Sequence, residues 1–291
     1  MDYILYHNNC PDGLTAAYIA KKKYPEAEAI GLDHGNPPNY EMLKGKDIIV
    51  VDFSWRTREE NIQVASDANT FVLLDHHKTA QAVLEGLPRA AKINFMFDMN
   101  RSGAGLAWDY LFVSGMCHTP RPWYVDYVED RDLWRFKLPE SKEVNSFIMT
   151  FPYTLEGWQQ LDMYTLEDAK AAGKFIKLQV DHYVREAAKQ VQYGSWLHYK
   201  VAVANVPYLN CSEVGNVLAQ TADISLTWFE RFDGQTQFSL RSIGDVDVSE
   251  FAKAMKGGGH KNAAGFQTTL ERGRELVDTI LKRNLLTGSQ S

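Results

Sequence analysis

The chain has 291 residues, 45% hydrophobic and 23% charged, with a net charge of −6. That is enough for two domains with separate cores, and the acidic balance argues against a broad phosphate-binding surface for long duplex nucleic acid. Three scattered cysteines, Cys10, Cys117 and Cys211, with no C-x-x-C pair suggest neither a disulfide framework nor a thiolate zinc site, and no segment has the length or apolarity of a membrane span, so a cytoplasmic protein is expected.

Four short apolar runs come first: YILY (Tyr3 to Tyr6), DIIVVDFS (Asp47 to Ser54), TFVLLD (Thr70 to Asp75) and KINFMFD (Lys92 to Asp98). Between them lie stretches of helical spacing, GLTAAYIAKKKY, WRTREENIQVAS and SGAGLAWDYLF. Strand alternating with helix predicts an α/β domain built on a mainly parallel sheet. Residues 120–193 read as helical, and LEDAKAAGKFIKLQVDHYVREAAKQVQ as one long amphipathic helix joining two domains. Strand patterns return in HYKVAVANV, ISLTWFERF and TQFSLRS. A helix near VSEFAKAM, a glycine cluster and a last helix to Leu286 follow, and the tail TGSQS is expected to fray. The expected division is a domain at 1–160, a helical linker at 161–193 and a smaller α/β domain at 194–291.

In parallel sheets, functional side chains gather beyond the carboxyl ends of the strands. His7 follows YILY, Asp52 follows DIIVV, and Asp75, His76 and His77 end FVLL. Carboxylates and imidazoles suit borderline-hard divalent ions such as Mn²⁺. Asp12 and the pair Asp130 and Asp132 in VEDRDLW add further carboxylates, about the number that two neighbouring metals need. Each residue alone has a plain structural reading. Asp52 could cap the helix starting near Thr57, and Asp98 in MFDMNRSGAG is read as a loop residue. What singles out the set is its coincidence at strand ends.

The motifs HNNCPDGLTAA (His7 to Ala17), VDFS (Val51 to Ser54), DHH (Asp75 to His77) and EDRDLW (Glu129 to Trp134) resemble, in order, those of the DHH phosphoesterase superfamily. SLRS (Ser239 to Ser242), GGGH (Gly257 to His260) and the following AAG are similar to its DHH-associated substrate-binding domain. The resemblance implies that His7 and Asp52 bind one metal, and that Asp12, Asp52, His76 and Asp130 bind the other. Asp52 would be the bridge, His77 would face the scissile phosphate, and Asp75 would orient an imidazole. Asp130 is preferred to Asp132 because the family places an aromatic four residues after its last ligand, as Trp134 stands here. The family's D-x-D reads C-P-D in this chain, so Cys10 either ligates, favouring Zn²⁺, or is a small buried residue whose place a water, Asn8 or Asn9 fills.

Arg241 suits bidentate capture of an oxyanion, and Gly257, Gly258, Gly259 and His260 suit a backbone cradle for phosphate. Trp108, Trp123, Tyr124, Trp134 and Trp158 are candidates for stacking bases, although most are expected in the core. The resemblance implies a phosphodiesterase with two Mn²⁺ per site, Mg²⁺, Co²⁺ or Zn²⁺ being alternatives. It would cut short single-stranded oligonucleotides, or cyclic or linear dinucleotides, to 5′-mononucleotides with a metal-activated water. An adenosine 3′,5′-bisphosphate phosphatase and a non-catalytic nucleotide-binding protein are the alternatives, and a homo-oligomer is left open.

Overall fold

The structure, a computed structural model, describes residues 1–33, 35–84, 86–87, 90–114 and 117–282. It divides into two compact units, Met1–Leu178 and Gln179–Ser291.

The first unit is built on five parallel strands, β1 (Tyr3–His7), β2 (Glu28–Leu32), β3 (Asp47–Val51), β4 (Thr70–Asp75) and β5 (Ile93–Phe97), in the order β2-β1-β3-β4-β5. Central β3 and β4 are apolar on both faces because each face is covered: Ile49, Val51, Val72 and Leu74 pack in one cluster, and Ile48, Val50, Phe71 and Leu73 in another. The first cluster is closed by helices α1 (Pro11–Lys23) and α5 (Gly103–Phe112). The short α2 (Tyr40–Leu43), α3 (Arg58–Asp67) and α4 (Lys78–Leu84) lie against the second. A two-residue ribbon, β6 (Val113–Ser114) with β7 (Cys117–His118), leads to α6 (Trp123–Asp132), α7 (Ser141–Ile148), α8 (Leu155–Leu161) and the 23-residue α9 (Leu166–Ala188). The unit boundary falls inside α9. Thr57, not Asp52, caps α3, through a capping box with Glu60.

The second unit carries six strands, β8 (Gln192–Trp196), β9 (Tyr199–Asn205), β10 (Ile224–Glu230), β11 (Gln235–Arg241), β12 (Gly258–His260) and β13 (Ala263–Thr269), ordered β12-β13-β11-β10-β9-β8. Only β9 and β10 pair in parallel. One face packs Val201, Leu226, Phe238 and Phe266 against α11 (Val248–Ala254) and α12 (Leu270–Leu281). The other packs Ala202 and Ala204 against Val184 and α10 (Cys211–Leu218), which follows a single 3₁₀ turn. The tail TGSQS and the predicted end of the last helix at Leu286 lie outside the described residues. Among the described residues, no helix is long and apolar enough to cross a membrane.

Apart from the β6–β7 ribbon, four strands are not evident in the sequence, and all lie at or next to a sheet edge: β2, β8, β12 and β13. Gly258–His260, expected as a loop, is an edge strand paired to β13, and the AAG expected as a turn begins β13 itself.

Candidate functional site

The carboxyl ends of β1, β3 and β4 deliver His7, Asp52 and the Asp75-His76-His77 turn to one place in the first unit. Asp52 is its centre. Its backbone is left-handed, φ 54°, a conformation that costs a non-glycine residue of order 1 kcal/mol or more and is most often met at functional sites. Its side chain is 1% exposed. Oδ1 lies 3.1 Å from His76 Nε2, and Oδ2 lies 3.5 Å from His7 Nδ1.

His76 Nε2 also stands 3.6 Å from Asp12 Oδ2 and 3.6 Å from Asp132 Oδ2. Three carboxylates converge on one imidazole nitrogen. Burial pushes His76 toward its neutral form, but the bond to Asp52 and the charges of Asp132, Asp52 and Asp12 outweigh it and hold its pKa well above the ordinary value. Burial likewise disfavours charge on Asp52, yet His7, His76 and His77 hold its carboxyl well below the usual range. Asp12 and Asp132 go the other way: burial, with the charge of Asp52 adding to it, pushes both up.

Asp12 is positioned by a helix end. Gly103 N–H donates to its Oδ2 at 2.6 Å and Ala104 N–H to its Oδ1 at 3.0 Å, so the carboxylate sits on the N-terminus of α5. Gly103 has no room for a side chain, since a Cβ would lie 2.5 Å from Asp52 Cβ and 3.0 Å from Asp12 Oδ2. Ser102 caps α5 through Gly105 N–H, and Ser102 N–H donates to Glu129 Oε2 at 3.0 Å, with Arg101 on the same oxygen at 3.2 Å. Ser102, Gly103 and Ala104, read from the sequence as a capped loop opening a helix, and Glu129, read only as the start of EDRDLW, shape the site without having been given a role in it. Their visible signal was a Ser cap followed by three side-chain-poor residues, a helix start open to an anion.

The two α6 aspartates, of which Asp130 was the expected ligand and Asp132 the alternative, face different groups. Asp130 accepts backbone N–H groups from Lys137 at 2.9 Å and Leu138 at 3.2 Å, fixing the chain after α6, while Asp132 faces His76. With Asp132 in that place, the aromatic four residues on is Phe136, which Trp134 meets edge to face. Asp75 Oδ1 accepts from the backbone N–H of His76 at 2.7 Å and of His77 at 3.1 Å, and lies 2.7 Å from His77 Nδ1. Burial raises Asp75, but the facing His77 lowers it further, and its pKa ends below the ordinary value. Burial lowers His77 in turn, and Asp75 raises it more. Asp75 therefore locks the turn that presents both imidazoles.

His7, Cys10 and Asp52 bring ligand atoms within 4.8 Å of one another, as do Asp12, Asp52 and His76. Asp52 Oδ2 and Asp132 Oδ2 are buried and accept no hydrogen bond. Separations of 3.1 to 3.6 Å about His76 Nε2 are those of neighbouring ligands around one ion at about 2.1 Å. The donor set and its orphaned oxygens fit divalent cations.

In the second unit, Arg241 ends β11 with Nη2 donating to Ser212 Oγ at 2.8 Å and Nη1 to Leu240 O at 3.2 Å. The glycines there have a reason other than an anion. A Cβ on Gly257 would lie 2.0 Å from Gly265 O, and one on Gly259, whose φ is 139°, 2.5 Å from Ala263 O. Trp158, Tyr124 and Trp108 are core residues, and Trp123 Nε1 donates to Tyr164 O; Trp134, 37% exposed, stays at the surface.

The DHHA1 domain family model matches residues 198–284. An uncharacterised protein of Acanthamoeba polyphaga mimivirus is 28% identical over 91% of this chain and 67% of its own length. Two Bacillus subtilis proteins are also similar. The cyclic-di-AMP phosphodiesterase GdpP is 26% identical over 76% of this chain, which spans only 38% of that protein. The oligoribonuclease NrnB is 24% identical over 92% of this chain and 73% of its own length. Among solved structures, RecJ in complex with Mn²⁺ from Thermus thermophilus shares the fold, with a TM-score of 0.55 at 14% identity over 96% of this chain and 51% of that one. The motif order, the fold and these matches agree: residues 198–284 match a DHHA1 domain, and the chain as a whole is similar to phosphodiesterases and nucleases of the DHH kind.

Proposed function

We propose that the chain is a divalent-metal-dependent phosphodiesterase that hydrolyses short single-stranded oligonucleotides, or linear or cyclic dinucleotides, to 5′-mononucleotides. The observation that carries this reading is the buried convergence of Asp12, Asp52 and Asp132 on His76, with His7 on the opposite oxygen of Asp52. Asp52 would be shared between two ions, Mn²⁺ before Mg²⁺, Co²⁺ or Zn²⁺, with His7 on one side and Asp12, His76 and Asp132 on the other. Such ions, when bound, supply an activated water and offset charge at the phosphoryl group.

The chain's own residues do the rest. The α5 N-terminus aims Asp12 and offsets part of the burial that pushes its pKa up, and the carboxyl-end position of Asp52 keeps it between the two imidazoles. Asp75 fixes His77 through Nδ1, which leaves Nε2 as the nitrogen proposed to meet the scissile phosphate. In the second unit, Arg241 and His260 are proposed to grip a terminal nucleotide, and half-exposed Trp134 to stack a base. Gly257, Gly258 and Gly259 are proposed to add backbone groups to that grip, although close packing by itself already asks for glycine at 257 and 259.

The substrate panel decides the class. Metal-stripped protein resupplied with Mn²⁺ is incubated with an RNA dinucleotide, a long single strand, a cyclic dinucleotide and adenosine 3′,5′-bisphosphate, and products are separated by size and by released phosphate. Mononucleotide from the dinucleotide supports the proposal. Inorganic phosphate from the bisphosphate alone would replace it with a phosphomonoesterase, and turnover of nothing with a nucleotide-binding protein.

A further inference from the structure

The two halves of the acidic cluster share Asp52 but differ in chemical hardness. One half, Asp12, Asp52 and His76 with Asp132 beside them, offers oxygen and nitrogen alone. The other joins His7 and Asp52 to the sulfur of Cys10, all three ligand atoms lying within 4.8 Å of one another.

Several constraints hold Cys10 there. It is the N-cap residue of α1, yet its side chain makes no capping bond, and Pro11 fixes the first helical position. Gly13 lets the first turn of α1 press on the end of β1, since a Cβ there would stand 2.4 Å from His7 O and 3.1 Å from Asp52 Oδ2. Asp52 Oδ2, buried and without a hydrogen bond, faces this group. A turn packed this tightly keeps the sulfur at the cluster. The cysteine also has an orphaned carboxylate oxygen opposite it, which a metal would satisfy and a packed thiol would not.

We propose that Cys10 ligates through its thiolate and makes the His7–Cys10–Asp52 half selective for a thiophilic divalent cation of the Zn²⁺ or Co²⁺ kind, while the all-oxygen-and-nitrogen half prefers Mn²⁺. This rests on the two-cation reading above. Thiolate sulfur is a soft donor that favours Zn²⁺, whereas carboxylates suit Mn²⁺ and Mg²⁺. Binding releases the thiol proton to solvent as the sulfur–metal bond forms. The chain would then hold two different metals at once, and manganese alone would fill one half weakly.

Cobalt reports the sulfur directly. The full chain, stripped of metal, is titrated with Co²⁺ while bound metal is counted by equilibrium dialysis and the near-ultraviolet thiolate-to-cobalt charge-transfer band is followed. The wild type is expected to bind two Co²⁺ and to develop a band that saturates with one of them. Cys10→Ser and Cys10→Asp are expected to lose the band. In Cys10→Asp two Co²⁺ still bind, and the preference of that half for Zn²⁺ over Mn²⁺ falls at least about tenfold, the scale on which changes around a metal act. Both variants keep Cys117 and Cys211, so a band that survives in them overturns the proposal. Two bound Co²⁺ without a band in the wild type overturn it too, leaving the two-cation reading intact. A wild type that binds no Co²⁺ overturns both.

Discussion

Replacing Asp130 and Asp132 one at a time separates a carboxylate that holds the chain from one proposed to hold a metal. Asp130 accepts two backbone N–H groups, from Lys137 and Leu138, at 2.9 and 3.2 Å. A hydrogen bond to a charged group contributes roughly 1.5–3 kcal/mol, so Asp130→Ala should cost about 3 kcal/mol or somewhat more. In a unit of this size each kcal/mol moves Tm by about 2–4 °C, which gives a fall of roughly 6–12 °C. Asp132 has no such anchor; its buried Oδ2 accepts no hydrogen bond and crowds the other carboxylates. Asp132→Ala should therefore leave metal-free Tm unchanged or slightly raised, while Mn²⁺ affinity falls about a hundredfold, or about 2.7 kcal/mol. Thermal unfolding of the metal-free variants and calorimetric Mn²⁺ titration below the transition read both effects. The reasoning is refuted if Asp130→Ala loses metal at unchanged Tm while Asp132→Ala binds Mn²⁺ as the wild type does.

Other outcomes follow from the same geometry. Gly103→Ala drives a Cβ to 2.5 Å from that of Asp52, and overpacking of this kind costs about 1–3 kcal/mol; both Tm and Mn²⁺ affinity should fall, and an unchanged titration would show that α5 does not set the site. Glu129→Ala frees Ser102 N–H, leaves Arg101 paired with Asp109, and should weaken Mn²⁺ binding by about ten- to a hundredfold through Asp12; Glu129→Gln, which still accepts from Ser102, should recover part of it, and equal losses would argue against positioning. In the metal-free chain His76, Asp12 and Asp132 all hold protons more tightly than usual, so a cation must displace them. Mn²⁺ affinity should then weaken as pH falls, by about tenfold per unit for each proton displaced, and a pH-independent affinity from about pH 8 to 6 would contradict the shifts. Arg241→Ala should raise KM for a dinucleotide with little change in kcat, and unchanged kinetics would remove Arg241 from substrate binding.

Much of the fold was legible because the buried strands write themselves as apolar runs. FVLL and DIIVV end in ligand-type residues, and the rule that parallel strands serve their carboxyl ends brought His7, Asp52 and His76 together before any coordinates. Edge strands lack that signal. EAIGL is at most half buried along its length and QYGSW nearly so, and Gly258–His260 reads as a loop because its glycines record the nearness of β13 rather than freedom of the backbone. Asp130 and Asp132 are two residues apart near the end of one helix, and only the fold after α6 decides which carboxylate turns back to the chain. The donors to Asp12 are backbone N–H groups, and backbone groups have no letter in a sequence. Glu129 acts across 27 residues on Ser102, a contact that no local pattern records.

The central claim is that Asp52 joins two cation sites that hydrolyse a phosphodiester, and one experiment tests it directly. Mn²⁺ stoichiometry and RNA dinucleotide hydrolysis are measured on the same preparations of wild type and Asp52→Asn, a change that keeps the size of the side chain and a residue tolerant of the left-handed backbone. The account predicts two Mn²⁺ per chain at saturation, the one at the His7–Cys10–Asp52 half more weakly held, and mononucleotide product in the wild type. In the variant it predicts at most one Mn²⁺ and a rate lower by about a thousandfold or more, some 4 kcal/mol in the barrier. Two bound Mn²⁺ and undiminished turnover in Asp52→Asn would contradict it.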